Sequence, residues 1–583
     1  MRVWRSLAPC GNAGVSLAFP RPASRCPRPA QPPLGSPSSA PAYLEAYDLM
    51  EENTDVIFEA QDMMSERTYD GLSPADASVG EAGPRHASQL PGPRSWPLVG
   101  CLPYMLRHPA FDPERVYLFW QAVRQEFGPT FRKDMPGHPH LVFITRPQDM
   151  ETLLRATMYN PQRPGMASLK AVRRDGGADG KHHGHDHVFQ GRAGILAEQG
   201  EEWWRVRRVV QRPLTASPLV ARALPQMDGV AKDFVARIRN IRDENTNEMP
   251  KTFNTELYKW ALESLGTIAL NRRLGCLRVD EETEEVNGGG GDSGGGGTAD
   301  PFRLIRLAKQ LLAALHETEN VKLWQYFPTA SILRLQHAHQ VFTDVALEAI
   351  QETEQQEAQR QGEVGSLLGT LLATPGLSKE DVLTLRLDMI ATGIDTTSHA
   401  AGNILYLLAR HPRAQQRVYE EVRREVGRPD TLRPEHLSAL TYTKAVFREA
   451  LRLMPVNVGI ARRLTQDTVL GGYLVPRGWE VVASTMLINH QEDVFPRATE
   501  FLPERFLRGS PFAPRHNFAF LPFSYGPRMC IGRKIAYQEV FCLIIRVLSE
   551  FQVEYKHEDI HLINRLSYGP SHPLRFTFTE RHA

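Results

Sequence analysis

The stretch FLPFSYGPRMCIGRK, residues 520 to 534, sets a single thiol, Cys530, among Phe, Pro, Gly and Arg just ahead of a helical pattern. After it, IGRKIAYQEVFCLIIRVLSEF carries apolar residues at 531, 535, 541, 544, 545, 548 and 551, a helix with one buried face. A cysteine at the N-terminus of such a helix meets free N–H groups and the positive end of the dipole, so a lowered thiol pKa is expected. Gly526 and Gly532 let the backbone approach something flat and close, and Arg528 offers a fork to a carboxylate. A buried structural cysteine beside a surface arginine has the same composition.

A second group lies upstream in SKEDVLTLRLDMIATGIDTTSHAAGNILYLLARHP. Ser378 and Asp381 form a capping box, and an apolar helix of about 30 residues, roughly 45 Å long, follows. Its middle reads TGIDTTS. The adjacent acid and hydroxyl of Asp395 and Thr396 can relay protons through water, although an interior threonine also bonds readily to its own helix. Further on, FREALRLMP places Glu449 and Arg452 on one helical face, and FLPERF supplies Arg505.

The string Phe523-x-x-Gly526-x-Arg528-x-Cys530-x-Gly532 resembles the haem-binding signature of the cytochromes P450, and the resemblance extends over about residues 90 to 583. It implies a mainly α P450 fold, a large helical domain with a long central helix over haem and small β-sheets. It makes Cys530 the axial ligand of haem b iron, Asp395 and Thr396 the pair that handles protons during dioxygen activation, and Glu449, Arg452 and Arg505 a structural ion-pair network. Trp203 and Arg207 in GEEWWRVRR match the family's WxxxR helix, with Trp204 and Arg208 offering the same spacing one residue on. Arg462 and Arg528 match further propionate contacts, and Phe523, Gly526 and Gly532 complete the cofactor loop. Two positions depart from the pattern. Ser524 stands where the family usually has glycine, and Thr392 where it prefers Ala or Gly.

The resemblance also points to a ferredoxin-dependent, mitochondrial subfamily. Lys444 and Arg448, with Arg533 and Lys534, match basic positions that dock an acidic adrenodoxin-type ferredoxin, with electrons from NADPH through ferredoxin reductase. Charge complementarity of that kind sets on-rate and salt sensitivity; each basic pair alone is also an ordinary solvated face. The implied reaction inserts one atom of O2 into a C–H bond of a lipophilic substrate, steroid-, sterol- or ecdysteroid-like, with a xenobiotic as the alternative. A haem-thiolate isomerase or dehydratase, a non-catalytic haem carrier and a metal-binding interaction protein are the other readings.

Composition sets the frame for these residues. The chain has 583 residues, and 68 Lys+Arg against 67 Asp+Glu give a net charge of +1, which argues against a nucleic-acid partner. Six cysteines, at 10, 26, 101, 276, 530 and 542, include no CxxC pair, so neither a disulfide framework nor a zinc site is expected. The first acidic residue is Glu45, behind arginines at 2, 5, 21, 25 and 28. That profile fits a mitochondrial transit peptide over 1–42, or a Pro/Arg-rich tail. With no apolar run long enough to span a bilayer, peripheral attachment to the matrix side of the inner membrane is expected. Residues 43–89 read as an acidic, polar linker.

Two insertions interrupt the expected domain, at 176–190 and 280–300. KHHGHDH offers His182, His183, His185 and His187 to a transition metal, or is a polar loop. GGGGDSGGGG lacks P-loop spacing and reads as a linker. Amphipathic FRLIRLAKQLLAALHE, 302–317, could rest on a membrane or roof the substrate cavity, core packing being the commoner use. HLVFIT, TVLGGYLVP and EVVAST predict short strands.

Overall fold

The computed structural model describes residues 83–135, 140–174, 188–215, 217–278, 301–320, 322–359, 366–457 and 459–581. The expected transit peptide over 1–42, the His run and the Gly run therefore lie outside the described residues. Eight helices position the site: α1 (Gly200–Thr215), α2 (Ser217–Ile241), α3 (Phe253–Ala269), α4 (Pro301–Asn320), α5 (Ala330–Gln359), α6 (Lys379–Arg410), α7 (Thr441–Leu453) and α8 (Arg533–Glu550).

α6 runs through the middle of the helical body and is buried along most of its length. The expected capping box starts it: the Asp381 amide donates to Ser378 Oγ at 3.2 Å, and the Ser378 amide donates to Asp381 Oδ2 at 3.0 Å. Arg205 on α1 reaches the same carboxylate at 2.6 Å, so the cap also ties two helices together. Close packing of α3 on α6 depends on Gly393, where a Cβ would stand 2.7 Å from Leu265 Cδ1. On α4, Leu304, Ile305, Leu307, Ala308, Leu311 and Leu312 are buried, so its apolar face serves the core.

A four-stranded sheet flanks the helices. Its strands are β1 (Thr130–Lys133), β2 (Leu141–Ile144), β3 (Ile460–Arg463) and β4 (Glu480–Ala483), in spatial order β1-β2-β4-β3. β2 and β4 run parallel; the two outer pairs are antiparallel. Phe131 opposite Phe143 stacks at 5.3 Å and fixes the β1–β2 register. TVLGGYLVP forms a hairpin, Thr468–Leu470 against Tyr473–Val475, and Arg85–His86 adds a parallel third strand to it. With Ala87 buried, the folded body begins before residue 90, inside the segment expected to be linker. A C-terminal hairpin of β5 (Leu562–Asn564) and β6 (Tyr568–Pro570) returns to α6.

Candidate active site

The cysteine loop is held by its own backbone. The Cys530 amide donates to the Phe523 carbonyl at 2.9 Å, that of Met529 to Gly526 at 2.9 Å and that of Ser524 to Leu521 at 3.0 Å. Ser524 takes φ +66°, the left-handed conformation that glycine adopts freely. The backbone path is thus kept, with the strain carried by a serine whose Oγ lies 3.4 Å from Arg462 Nη2. Gly526, at φ +71°, packs so closely that a Cβ would meet Met158 Sδ at 2.8 Å. A Cβ on Gly532 would meet nothing within 4 Å.

Cys530 opens onto an internal cavity of about 400 Å³, which explains how the thiol is solvent-accessible and yet enclosed by protein. The helix α8 starts at Arg533 with Gly532 as its N-cap, so Cys530 precedes the first turn. Burial pushes its pKa up, against the Gly532 N–H, Arg207, Arg533 and Arg163, which pull it down. This corrects the sequence expectation of a lowered thiol pKa: desolvation outweighs the helix terminus. A cation bound at sulfur reverses such a balance, because a coordinating thiol loses its proton outright.

Trp203 and Arg207, not Trp204 and Arg208, face inward. Trp203 is fully buried, Trp204 is partly exposed and gives its indole N–H to the Tyr159 carbonyl, and Arg208 is exposed. Arg207 donates to the Met529 carbonyl at 2.8 Å, tying α1 to the cysteine loop. Arg528 stacks on Trp203 at 3.9 Å and donates to the carbonyls of Pro161 and Glu198 at 3.0 and 2.8 Å. Arg462 bonds the Ala461 carbonyl at 2.9 Å. A fourth arginine, Arg163, donates to Leu196 at 3.0 Å and lines the same cavity.

Burial, helped by repulsion from neighbouring arginines, pushes Arg207 to about 10, Arg462 to about 9 and Arg528 to about 8, and burial alone lowers Arg163. Since a guanidinium keeps its proton in a protein, the push measures an unmet demand for anions. The carboxyl groups bordering the cavity meet little of it, Asp388 acting on Arg163 alone of the four. Asp388 pairs with Arg173 at 2.7 Å, and burial raises Glu539 to about 8, leaving it mostly neutral at pH 7. A thiol, apolar walls and four arginines seeking negative charge fit a flat apolar macrocycle bearing two propionates.

The comparisons with known proteins agree. A family model described as Cytochrome P450 matches residues 90–578. The chain belongs to the cytochrome P450 family. It is 31% identical over 513 residues to "Probable cytochrome P450 301a1, mitochondrial" of Drosophila melanogaster, covering 84% of this chain and 87% of the relative. "Cytochrome P450 CYP12A2" of Musca domestica is 31% identical over 482 residues, 79% of this chain and 85% of the relative. "Cytochrome P450 302a1, mitochondrial" of D. melanogaster is 30% identical over 476 residues, 81% of this chain and 90% of the relative. This P450 is accordingly a monooxygenase that binds haem b and uses O2.

In this P450 the Glu449 carboxylate accepts two bonds from Arg452, each of 2.8 Å, and one from Arg505 at 3.2 Å, all three side chains being fully buried. The remaining guanidinium N–H groups go to carbonyls of Asn489, Ala498, Glu500, Pro496, Arg497 and Phe512. Thr396 faces the cavity while its Oγ1 donates to the Thr392 carbonyl at 2.7 Å, so the back-bonded arrangement is the one seen. Thr392 does the same to Asp388 at 2.7 Å, which turns its hydroxyl into the helix. Asp395 does not border the cavity; Tyr258 and Ser567 donate to its two oxygens.

The four basic positions assigned to ferredoxin docking are less open than the sequence implies. Lys534 is buried and caps the Thr215 carbonyl at 2.7 Å, so its charge is spent inside the fold and its docking assignment does not hold. Arg448 stacks over Phe506 at 4.7 Å, Lys444 bonds the Ser438 carbonyl at 2.7 Å, and Arg533 rests on Met529 Sδ at 2.9 Å. All three are partly exposed. Arg163, Glu539 and Ser567 escaped the sequence reading. Arg163 sits between prolines in YNPQRPG with no periodicity to mark it, and Glu539 looks like a polar position on an amphipathic helix.

Proposed function

We propose that this P450 hydroxylates a steroid-like substrate in mitochondria, receiving electrons singly from an acidic ferredoxin. The carrying observation is the cavity beside Cys530. Its walls include Leu265, Leu385, Met389, Leu451, Val456 and Leu566, an apolar surface set beside the arginines already described. Such a wall favours a rigid, apolar ligand with few polar handles. Cys530 would hold the haem iron and Arg163, Arg207, Arg462 and Arg528 would meet its propionates; haem so bound would supply the oxygen-activating chemistry, a thiolate ligand favouring O–O cleavage. Thr396 stands at the cavity wall on α6, with Thr392 and Thr397, and the apolar side chains keep bulk water from the reacting carbon.

Ferredoxin docking is assigned to the face behind the cysteine loop. Arg208 and Arg212, exposed and one turn apart, extend from the helix whose Arg207 grips Met529, and Lys444 and Arg448 add charge from α7. The relatives named mitochondrial support this partner. No helix among the described residues is long and apolar enough to cross a membrane. Peripheral contact is assigned to the connection between α4 and α5 and the first turn of α5, where Leu323, Tyr326, Phe327 and Leu333 are exposed, Tyr326 to 82%.

A substrate screen on purified holoprotein tests the reading. Sterols should displace water from the haem and give a type I spectral shift, and drug-like molecules should not. Product formation should need ferredoxin with its reductase. The reverse preference, or turnover without ferredoxin, would overturn it.

A further inference from the structure

We propose that Ser567 is the hydroxyl through which Asp395 delivers protons into the cavity, with His399 as the imidazole that orients it. The inference rests on reading Asp395 as the acid of the oxygen-activating pair. It adds to that reading a route, because Asp395 does not border the cavity and Thr396 bonds back to its helix.

The route consists of three elements meeting at one point. Ser567, in the turn between β5 and β6, is buried, borders the cavity and donates to Asp395 Oδ2. Tyr258, on α3, donates to the other oxygen. His399, one turn beyond Asp395 on α6, closes the ring: Nδ1 lies 3.3 Å from Ser567 Oγ, and Nε2 lies 3.3 Å from Tyr258 Oη and 3.6 Å from Asp395 Oδ1. With the proton on Nδ1, the imidazole donates to Ser567 while Ser567 and Tyr258 both donate to the carboxylate, and Nε2 is left as a lone pair on the side of Tyr258 and Asp395, open to a proton. The β6 backbone is shaped for this ring. A Cβ on Gly569 would stand 2.8 Å from His399 Cε1 and 2.9 Å from Nε2, so only glycine leaves the imidazole where it is.

The proton balance is simple. Ser567 passes its hydroxyl proton to water in the cavity and takes one from the protonated Asp395 carboxyl. Asp395 is refilled through His399: a proton from bulk water, on the side of the exposed Arg565 two residues before Ser567, is taken at Nε2 and handed to Asp395 Oδ1, which returns the imidazole to its neutral Nδ1–H form. Only O–H and N–H bonds change, and one proton moves inward per cycle. Burial, helped by Arg565 and opposed by Asp395, holds the imidazole below its ordinary range, so it is neutral between transfers. The groups facing it are Asp395 on its own helix, Tyr258 on α3 with Lys309 of α4 over the Tyr258 ring at 5.0 Å, and Ser567 and Arg565 on the hairpin.

The test compares Ser567→Ala, Ser567→Thr, Gly569→Ala and Asp395→Asn as holoenzymes, checked first for haem content and melting temperature. Ser567→Ala should bind substrate and accept the first electron normally, yet lose most of its product per NADPH to peroxide, with an increased solvent deuterium isotope effect. Ser567→Thr should restore coupling. The C–O stretch of the ferrous–CO complex gives a readout independent of turnover. It should shift with pH in the parent protein and lose that dependence in Ser567→Ala and in Gly569→Ala, where His399 is displaced with no polar group removed. Full coupling and an unchanged pH response in Ser567→Ala, with Asp395→Asn uncoupled, would overturn the Ser567 route alone. Full coupling in Asp395→Asn would overturn the acid assignment on which the route stands.

Discussion

Ser524 shows what one residue can be asked to bear. The cysteine loop needs a left-handed backbone there, and a serine at φ +66° carries a strain of about 1–2 kcal/mol. Ser524→Gly should change holoprotein stability by less than about 1 kcal/mol, since relief of strain is offset by glycine's extra freedom when unfolded. Ser524→Val should destabilise by about 2 kcal/mol, read as a shifted denaturation midpoint. Cys530→Ala is a sharper case: it should abolish the thiolate-type ferrous–CO spectrum while the backbone bonds of the loop remain. Glu539 gives a pH signature. Burial raises its carboxyl to about 8 from an ordinary 4.5, so the folded state binds an extra proton between those values. Its stabilising contribution is complete below about 4.5 and is lost as pH rises through about 8, each tenfold in proton affinity being worth about 1.4 kcal/mol. Glu539→Gln should flatten the fall in stability between pH 5 and 9; an unchanged profile would mean the carboxyl is ionised in the fold.

Among the elements, α6 is legible in the sequence, because its capping box and apolar run are local signals written in consecutive residues. The same holds for Leu141–Ile144 and Glu480–Ala483, whose β-branched runs announce strands. The Glu449 network was legible only by resemblance. Arg505 lies in a turn of no periodicity, and nothing local shows that it meets Glu449 at 3.2 Å. Illegible altogether was what the β5–β6 hairpin brings to α6, since Ser567 and His399 are joined by topology alone. So too was the inward turn of Lys534, which reads as an exposed cation until α1 supplies the Thr215 carbonyl. The ion-pair network makes the consequence measurable. Glu449→Gln would leave Arg452 and Arg505 fully buried without their counter-charge, and breaking such a cluster costs about 3–5 kcal/mol. The variant should accumulate little holoprotein and lose haem at temperatures the parent tolerates.

For the whole molecule, the net charge of +1 conceals a division of labour. The interior arginines Arg163, Arg207 and Arg528 line the cavity and Arg462 is buried behind Ser524 of its wall, so they cannot serve a partner outside. Arg208 and Arg212 are exposed on the helix that carries the buried Arg207, so α1 presents positive charge both inward and to solvent. The inner set should act on cofactor retention, the outer set on the rate at which an acidic ferredoxin arrives. Arg208→Glu with Arg212→Glu should therefore leave haem content and substrate affinity intact. Ferrous reduction by ferredoxin should slow about tenfold or more at low ionic strength, because opposed charges steer encounter. The gap between parent and variant should close as salt approaches 1 M, where the screening length falls to about 3 Å. A salt-independent gap would place the damage in the fold of α1 rather than in docking, and equal rates at low salt would move the docking face elsewhere.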